Sequence, residues 1–191
     1  SDMVDFNGDG FPDLAFFGSA EGLETTVTVV YGQSGTLENA ETQVFIADDL
    51  SEVNDGSITL GQALAPGDFD GNGYTDLAIS APKADAGGVH NAGEIYIVFG
   101  FSDGLAEDDP QTLSQAMDLV QGVAEPNDMF GSELTAGDFD GDGFDDLAAG
   151  TPHEDIEALN VENGGAVHIF YGGLLGLRTD NELVITLDHP A

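Results

Sequence analysis

The apolar residues of this chain fall in short runs that alternate with polar positions and stop at glycine. The clearest are Val27-Thr28-Val29-Val30-Tyr31-Gly32, Ile95-Tyr96-Ile97-Val98-Phe99-Gly100 and Val167-His168-Ile169-Phe170-Tyr171-Gly172. Each is rich in β-branched and aromatic residues and predicts a strand. A shorter apolar stretch precedes each one: Leu14-Ala15-Phe16-Phe17, Leu77-Ala78-Ile79 and Leu147-Ala148-Ala149. A third strand is predicted at 42–46, 116–120 and 182–186, and a leading strand at 58–64 and 130–135. The pattern predicts an all-β chain of three repeats, at 1–56, 57–126 and 127–191, with four strands per repeat. The leading strand of the first repeat would lie before residue 1.

Between leading strand and apolar stretch, each repeat carries the same ten-residue segment without a gap. These are Asp5-Phe6-Asn7-Gly8-Asp9-Gly10-Phe11-Pro12-Asp13-Leu14, Asp68-Phe69-Asp70-Gly71-Asn72-Gly73-Tyr74-Thr75-Asp76-Leu77 and Asp138-Phe139-Asp140-Gly141-Asp142-Gly143-Phe144-Asp145-Asp146-Leu147. Calcium takes six to eight oxygens, and short carboxylate arms on alternate residues of a tight loop converge on one point. Positions 1, 3 and 5 are Asp or Asn in every copy, and position 9 is Asp13, Asp76 or Asp146. Position 7 (Phe11, Tyr74, Phe144) offers a backbone carbonyl, and Gly10, Gly73 or Gly143 at position 6 permits the sharp turn.

The expected ligands are therefore Asp5, Asn7, Asp9, Phe11 and Asp13; Asp68, Asp70, Asn72, Tyr74 and Asp76; and Asp138, Asp140, Asp142, Phe144 and Asp146, for three Ca2+ ions. The third set has the most carboxylates and is expected to bind tightest. An EF-hand loop begins alike but needs a bidentate Glu at position 12, where this chain has Phe16, Ile79 and Ala149. Asp-Gly and Asn-Gly form turns without metal, but three such loops gather too many like charges to close without a cation. The calcium is read as structural. Phe6, Phe69 and Phe139 at position 2, with the leucines at position 10, are expected to pack between strands while the ligands face outward.

The residues flanking these loops resemble the FG-GAP repeat of integrin-type β-propellers. Phe130-Gly131-Ser132-Glu133-Leu134 precedes the third loop and Gly150-Thr151-Pro152 follows it; the second copy reads Leu60-Gly61-Gln62-Ala63-Leu64 and Ser80-Ala81-Pro82. The first copy departs from the pattern, with Gly18-Ser19-Ala20 lacking the proline. The resemblance implies blades of four antiparallel strands, calcium in the turn between the first two strands of each, and a larger propeller of six or seven blades. We expect the chain to be part of such a propeller, with pairing of two copies as the alternative, because three blades leave exposed edges.

Composition adds an extreme charge. Among 191 residues, 37 are Asp or Glu, against only Lys83 and Arg178, for a formal net charge of −35. Such a chain repels nucleic acid and anionic membrane faces and stays soluble in salt. No run is long enough to cross a membrane, and there is no cysteine. No signal peptide is read in this piece. The ten loop carboxylates are a minority of the acids, so calcium does not account for the acidity as a whole.

The four histidines are His90, His153, His168 and His189, with no serine elbow, zinc motif or phosphate loop beside them. The expectation is a non-catalytic module that is extracellular, secreted or at the cell surface. Its partner would be an extracellular protein or glycan. The alternative is a structural repeat of an extracellular assembly, or an accessory region of a larger secreted enzyme.

Overall fold

The computed structural model describes residues 3–18, 25–50, 58–106, 108–156 and 159–186. They form an all-β structure of three successive antiparallel sheets and one small hairpin, with two short helical turns at Leu37–Asn39 and Ala47–Leu50. The first sheet pairs β1 (Leu14–Gly18), β2 (Thr26–Val30) and β3 (Thr42–Phe45) in that order. The second has β4 (Leu64–Gly67), β5 (Asp76–Ala81), β6 (Glu94–Val98) and β9 (Gln111–Leu113). The third has β10 (Leu134–Gly137), β11 (Asp146–Thr151), β12 (Ala166–Phe170) and β13 (Leu183–Ile185). The hairpin is β7 (Gly100–Phe101) with β8 (Gly104–Leu105). Each sheet is a meander of neighbouring strands, the form of a propeller blade.

Alternation along the strands places two separate cores between three stacked blades. Phe6, Val27, Val29, Phe45, Leu77, Ile79, Tyr96 and Val98 fill the space between the first and second blades. Ala78, Ile95, Ile97 and Leu113 turn to the other face and meet Phe130, Leu147, Ala149 and Phe170 of the third. The middle blade is therefore covered on both sides, and every residue of β5 is buried. Glutamines add polar pins across both interfaces. Gln43 donates to the Leu105 carbonyl at 2.9 Å. Gln111 donates to the Leu177 carbonyl and accepts the Leu177 N–H at 3.0 Å.

Three expectations change. The third strand of the second blade is 111–113 and not 116–120. Leu113 pairs with Ile95 and is fully buried, whereas Met117 and Leu119 are exposed and 114–120 forms successive turns. The leading strands begin later than predicted, at Leu64 and Leu134, because the register with β5 and β11 runs up to Gly67 and Gly137 beside the loops. Phe139 and Leu14, expected to pack between strands, are 49% and 53% exposed, since no described residue covers the outer faces on which they lie.

Candidate metal centres

Each ten-residue loop joins two strands, or leads into the first strand where no leading strand is described. Its shape is set by its own carboxylates. The position-1 carboxylate accepts the position-6 N–H: Gly10 to Asp5 at 2.9 Å, Gly73 to Asp68 at 3.0 Å and Gly143 to Asp138 at 3.2 Å. The position-3 side chain accepts the position-5 N–H at 3.1, 3.0 and 3.0 Å. The position-5 side chain accepts the position-7 N–H at 2.8, 2.8 and 3.0 Å. These bonds wind each loop tightly on its own side chains. The position-6 glycines sit at φ of +85°, +89° and +95°, where a side chain is strained.

Position 9 does different work. Both oxygens of Asp76 are held by backbone N–H groups, from Phe69 and Gly100, each at 2.8 Å. Asp13 is held likewise by Phe6 and Gly32, and Asp146 by Phe139 and Gly172. This carboxylate ties the start of the loop to the end of the second strand. The aromatic-glycine ending of that strand was visible in the sequence, but its role was not. A Cβ on Gly100 would lie 2.2 Å from the Thr75 carbonyl, and one on Gly172 2.4 Å from that of Asp145, so only glycine fits.

Asp76 is fully buried, and burial is the main reason its pKa rises from 3.8 to about 7; its two N–H partners oppose the rise, while Asp70 and Asp68 add to it. Burial also raises Asp13, against the N–H bonds from Gly32 and Phe6. Carboxylates crowded in this way favour either a proton or a cation.

The structure brings Asp68, Asp70 and Asp76 together, with one oxygen from each within 4.8 Å of the others, and does the same for Asp138, Asp140 and Asp142. Asp68 Oδ1 is buried with no hydrogen-bond partner and fits a cation at that point. The first loop has the same hydrogen-bond frame on Asp5, Asn7 and Asp9, with an amide at position 3. Phe11, Tyr74 and Phe144 stand at position 7 with their N–H groups committed to position 5 and their carbonyls as the remaining donors of electron density.

A second polar cluster lies inside the molecule. His168 and Glu182, with side chains 1% exposed, approach to 3.6 Å, and Phe130 packs edge-on against the imidazole. Nearby, Gln115 donates to Glu154 at 2.6 Å. His153 is exposed, with Nδ1 2.9 Å from the Asn127 carbonyl oxygen. No histidine among the described residues stands beside a nucleophile in an open cleft.

Three meandering sheets with an acidic loop at the head of each define a bladed repeat protein. The FG-GAP repeat model matches residues 60–98 and 130–170, so the chain carries FG-GAP repeats. Both matches run from before the loop through the second strand. The first copy, whose departures were evident in the sequence, is outside them. The chain is 33% identical over 117 residues to phosphatidylinositol-glycan-specific phospholipase D of Bos taurus, covering 61% of this chain and 14% of that protein. It is 31% identical over 161 residues to integrin alpha-PS3 of Drosophila melanogaster, covering 81% of this chain and 13% of the relative. With integrin alpha-PS2 of the same fly it shares 33% over 121 residues, 61% of this chain and 8% of the relative. The chain thus spans a small part of the length of these relatives.

Proposed function

We propose that this chain is a calcium-stabilised propeller segment acting outside the cell as a protein- or glycan-binding or adhesion module. The observation that carries the calcium reading is the convergence of Asp68, Asp70 and Asp76 around an unpartnered buried Asp68 oxygen. Asp5, Asn7, Asp9, the Phe11 carbonyl and Asp13 would hold one ion; Asp68, Asp70, Asn72, the Tyr74 carbonyl and Asp76 a second; Asp138, Asp140, Asp142, the Phe144 carbonyl and Asp146 a third. All-oxygen donor sets of this charge suit a hard cation, and loops of flexible side chains suit calcium over the stricter octahedron of magnesium. The ion supplies positive charge that relieves repulsion among the carboxylates. The protein supplies the frame, since the backbone bonds already fix positions 1, 3, 5 and 9.

An extracellular setting follows from this reading, because calcium sites of extracellular modules commonly bind in the range of about 10⁻⁴–10⁻³ M and fill at the calcium levels found there. The binding role rests on loops and an acidic surface carried by a rigid stack, together with the likeness to integrin alpha chains. A non-catalytic role is supported by the burial of His168 and Glu182, where no substrate reaches them. The likeness to a phospholipase D favours the second reading, an accessory or scaffolding region of a larger secreted enzyme.

Calcium titration by calorimetry tests the first part. Saturable binding lost at one site in an Asp138→Ala/Asp142→Ala variant is expected; unchanged stoichiometry removes the third loop from the proposal. Removing this region from its parent protein separates the two roles. Loss of partner capture with any catalysis intact supports a binding module, and loss of catalysis supports an accessory one.

A further inference from the structure

We infer that the cleft between the first and second blades, beside the second loop, is a binding site for an organic cation carrying a methylated ammonium group. The two blade interfaces share one frame, and the difference between them carries the inference. Gln43 pairs with Val29 and Gln111 with Ile97, so the two glutamines hold the same place in their sheets. At the second interface Gln111 grips Leu177 by itself. Its side-chain oxygen accepts the Leu177 N–H at 3.0 Å, and its amide donates to the Leu177 carbonyl. At the first interface the Gln43 amide likewise donates to the Leu105 carbonyl at 2.9 Å. The other half of the grip differs. The Leu105 N–H donates to the Tyr31 hydroxyl at 2.9 Å, and that hydroxyl donates to the Gln43 side-chain oxygen. Phe99, two residues beyond Ile97 as Tyr31 is beyond Val29, has no hydroxyl to insert.

Tyr31 thereby becomes part of the wall of a cleft of about 630 Å³, which the Tyr74 and Phe101 rings also line. That volume is in the range of small-molecule sites. Glu41 and Asp103, both exposed, stand in the same lining, and neither Lys83 nor Arg178 does. Phe101 and Asp103 sit on the β7–β8 hairpin, and the matching positions of the next blade are Gly173 and Leu175. The ring and the carboxylate are thus peculiar to the first interface.

Three aromatic rings with two carboxylates suit a cation held against ring faces. The Gln43 amide and the Tyr31 hydroxyl are committed to the blade frame, so the cleft is poorly equipped to hydrogen-bond a sugar. A metal ion needs six to eight converging oxygens, which rings do not offer, and a net charge of −35 repels anions. A primary ammonium is strongly hydrated, whereas a methylated one is the usual guest of aromatic cages. The site goes beyond the protein- or glycan-binding reading and does not depend on calcium.

Calorimetric titration with choline tests this. It is done at about 0.5 M salt, where screening within about 5 Å suppresses general attraction to an acidic chain. Choline is expected to bind about tenfold more tightly than 3,3-dimethyl-1-butanol, which has its shape without its charge. Phe101→Ala should weaken choline about tenfold and Asp103→Asn about threefold. Asp118→Asn, the same charge change at another exposed position, should leave it unaltered. Equal affinity for the two probes, no choline binding, or full binding by Phe101→Ala overturns the proposal. Calcium content measured on the same samples separates failure of the cleft from failure of the second loop, which carries Tyr74. A free solute and a lipid headgroup both present this group. Capture by phosphatidylcholine vesicles that choline reverses assigns it to a lipid, and vesicles left free by a choline-binding chain assign it to a solute.

Discussion

Phe69 and Phe139 hold the same place in their loops and live in opposite surroundings. Phe69 is fully buried beneath the third blade, whereas Phe139 is half exposed on the outer face of that blade. Their local frames are the same: each donates its N–H to the position-9 carboxylate at 2.8 Å. The loop fixes its own shape, and the neighbouring blade decides what the phenylalanine contributes. The middle blade, with a neighbour on each side, is therefore buried on both faces, whereas the third loop is formed but not covered.

The sharpest break of this comparison is a paired truncation. Phe69→Ala should cost about 3–5 kcal/mol in chemical denaturation, as expected for a large buried aromatic, and Phe139→Ala less than about 1 kcal/mol. Equal losses would mean that the outer face is covered in solution. Calcium removal comes next. At calcium 100-fold above Kd each site adds about 2.7 kcal/mol, so chelation should lower Tm clearly, and an unchanged melt would set aside structural calcium.

A proton effect of intermediate size belongs to the second loop. The Asp76 pKa of about 7 lies above its value of about 3.9 in an unfolded chain, so the folded state holds the extra proton between those pH values. Metal-free stability contributed by this group is fully present below about pH 4 and declines as pH rises towards 7. Because the cation competes with that proton, calcium affinity at the second loop should fall about tenfold from pH 8 to pH 6. A Tyr74→Trp reporter of that loop tests it, and a flat profile would place Asp76 outside the calcium shell. The smallest effect is expected at position 8, where the Asp145 side chain accepts the Asp68 N–H at 2.9 Å. Asp145→Ala removes that acceptor and should cost about 1 kcal/mol. Pro12→Ala, with no partner to lose, should change stability within about 0.5 kcal/mol.

Much of the site was legible because its geometry is local. Candidate ligands and turn glycines all lie within nine residues, and loop and strand chemistry repeat three times; the tie from position 9 to the glycine ending the second strand spans 19 to 26 residues and was not legible. The third strand of the second blade was not legible. Residues 116–120 have strand-like composition, but Leu113 wins the pairing with Ile95, and Gln111 is pinned to Leu177 of another blade. Nothing in 111–113 alone announces either partner.

The chain by itself determined the all-β class, the second strands of each blade and the three acidic loops, since these follow from alternation, turn chemistry and short-range hydrogen bonding. Tertiary structure alone decided which face of each blade is buried, which carboxylates are desolvated, and what position 8 does. Those properties depend on a neighbouring blade some seventy residues away, as in the Thr75–Asp5 and Asp145–Asp68 pairs. Pro12, Thr75 and Asp145 look interchangeable as loop residues, and only the blade beside them gives each its meaning.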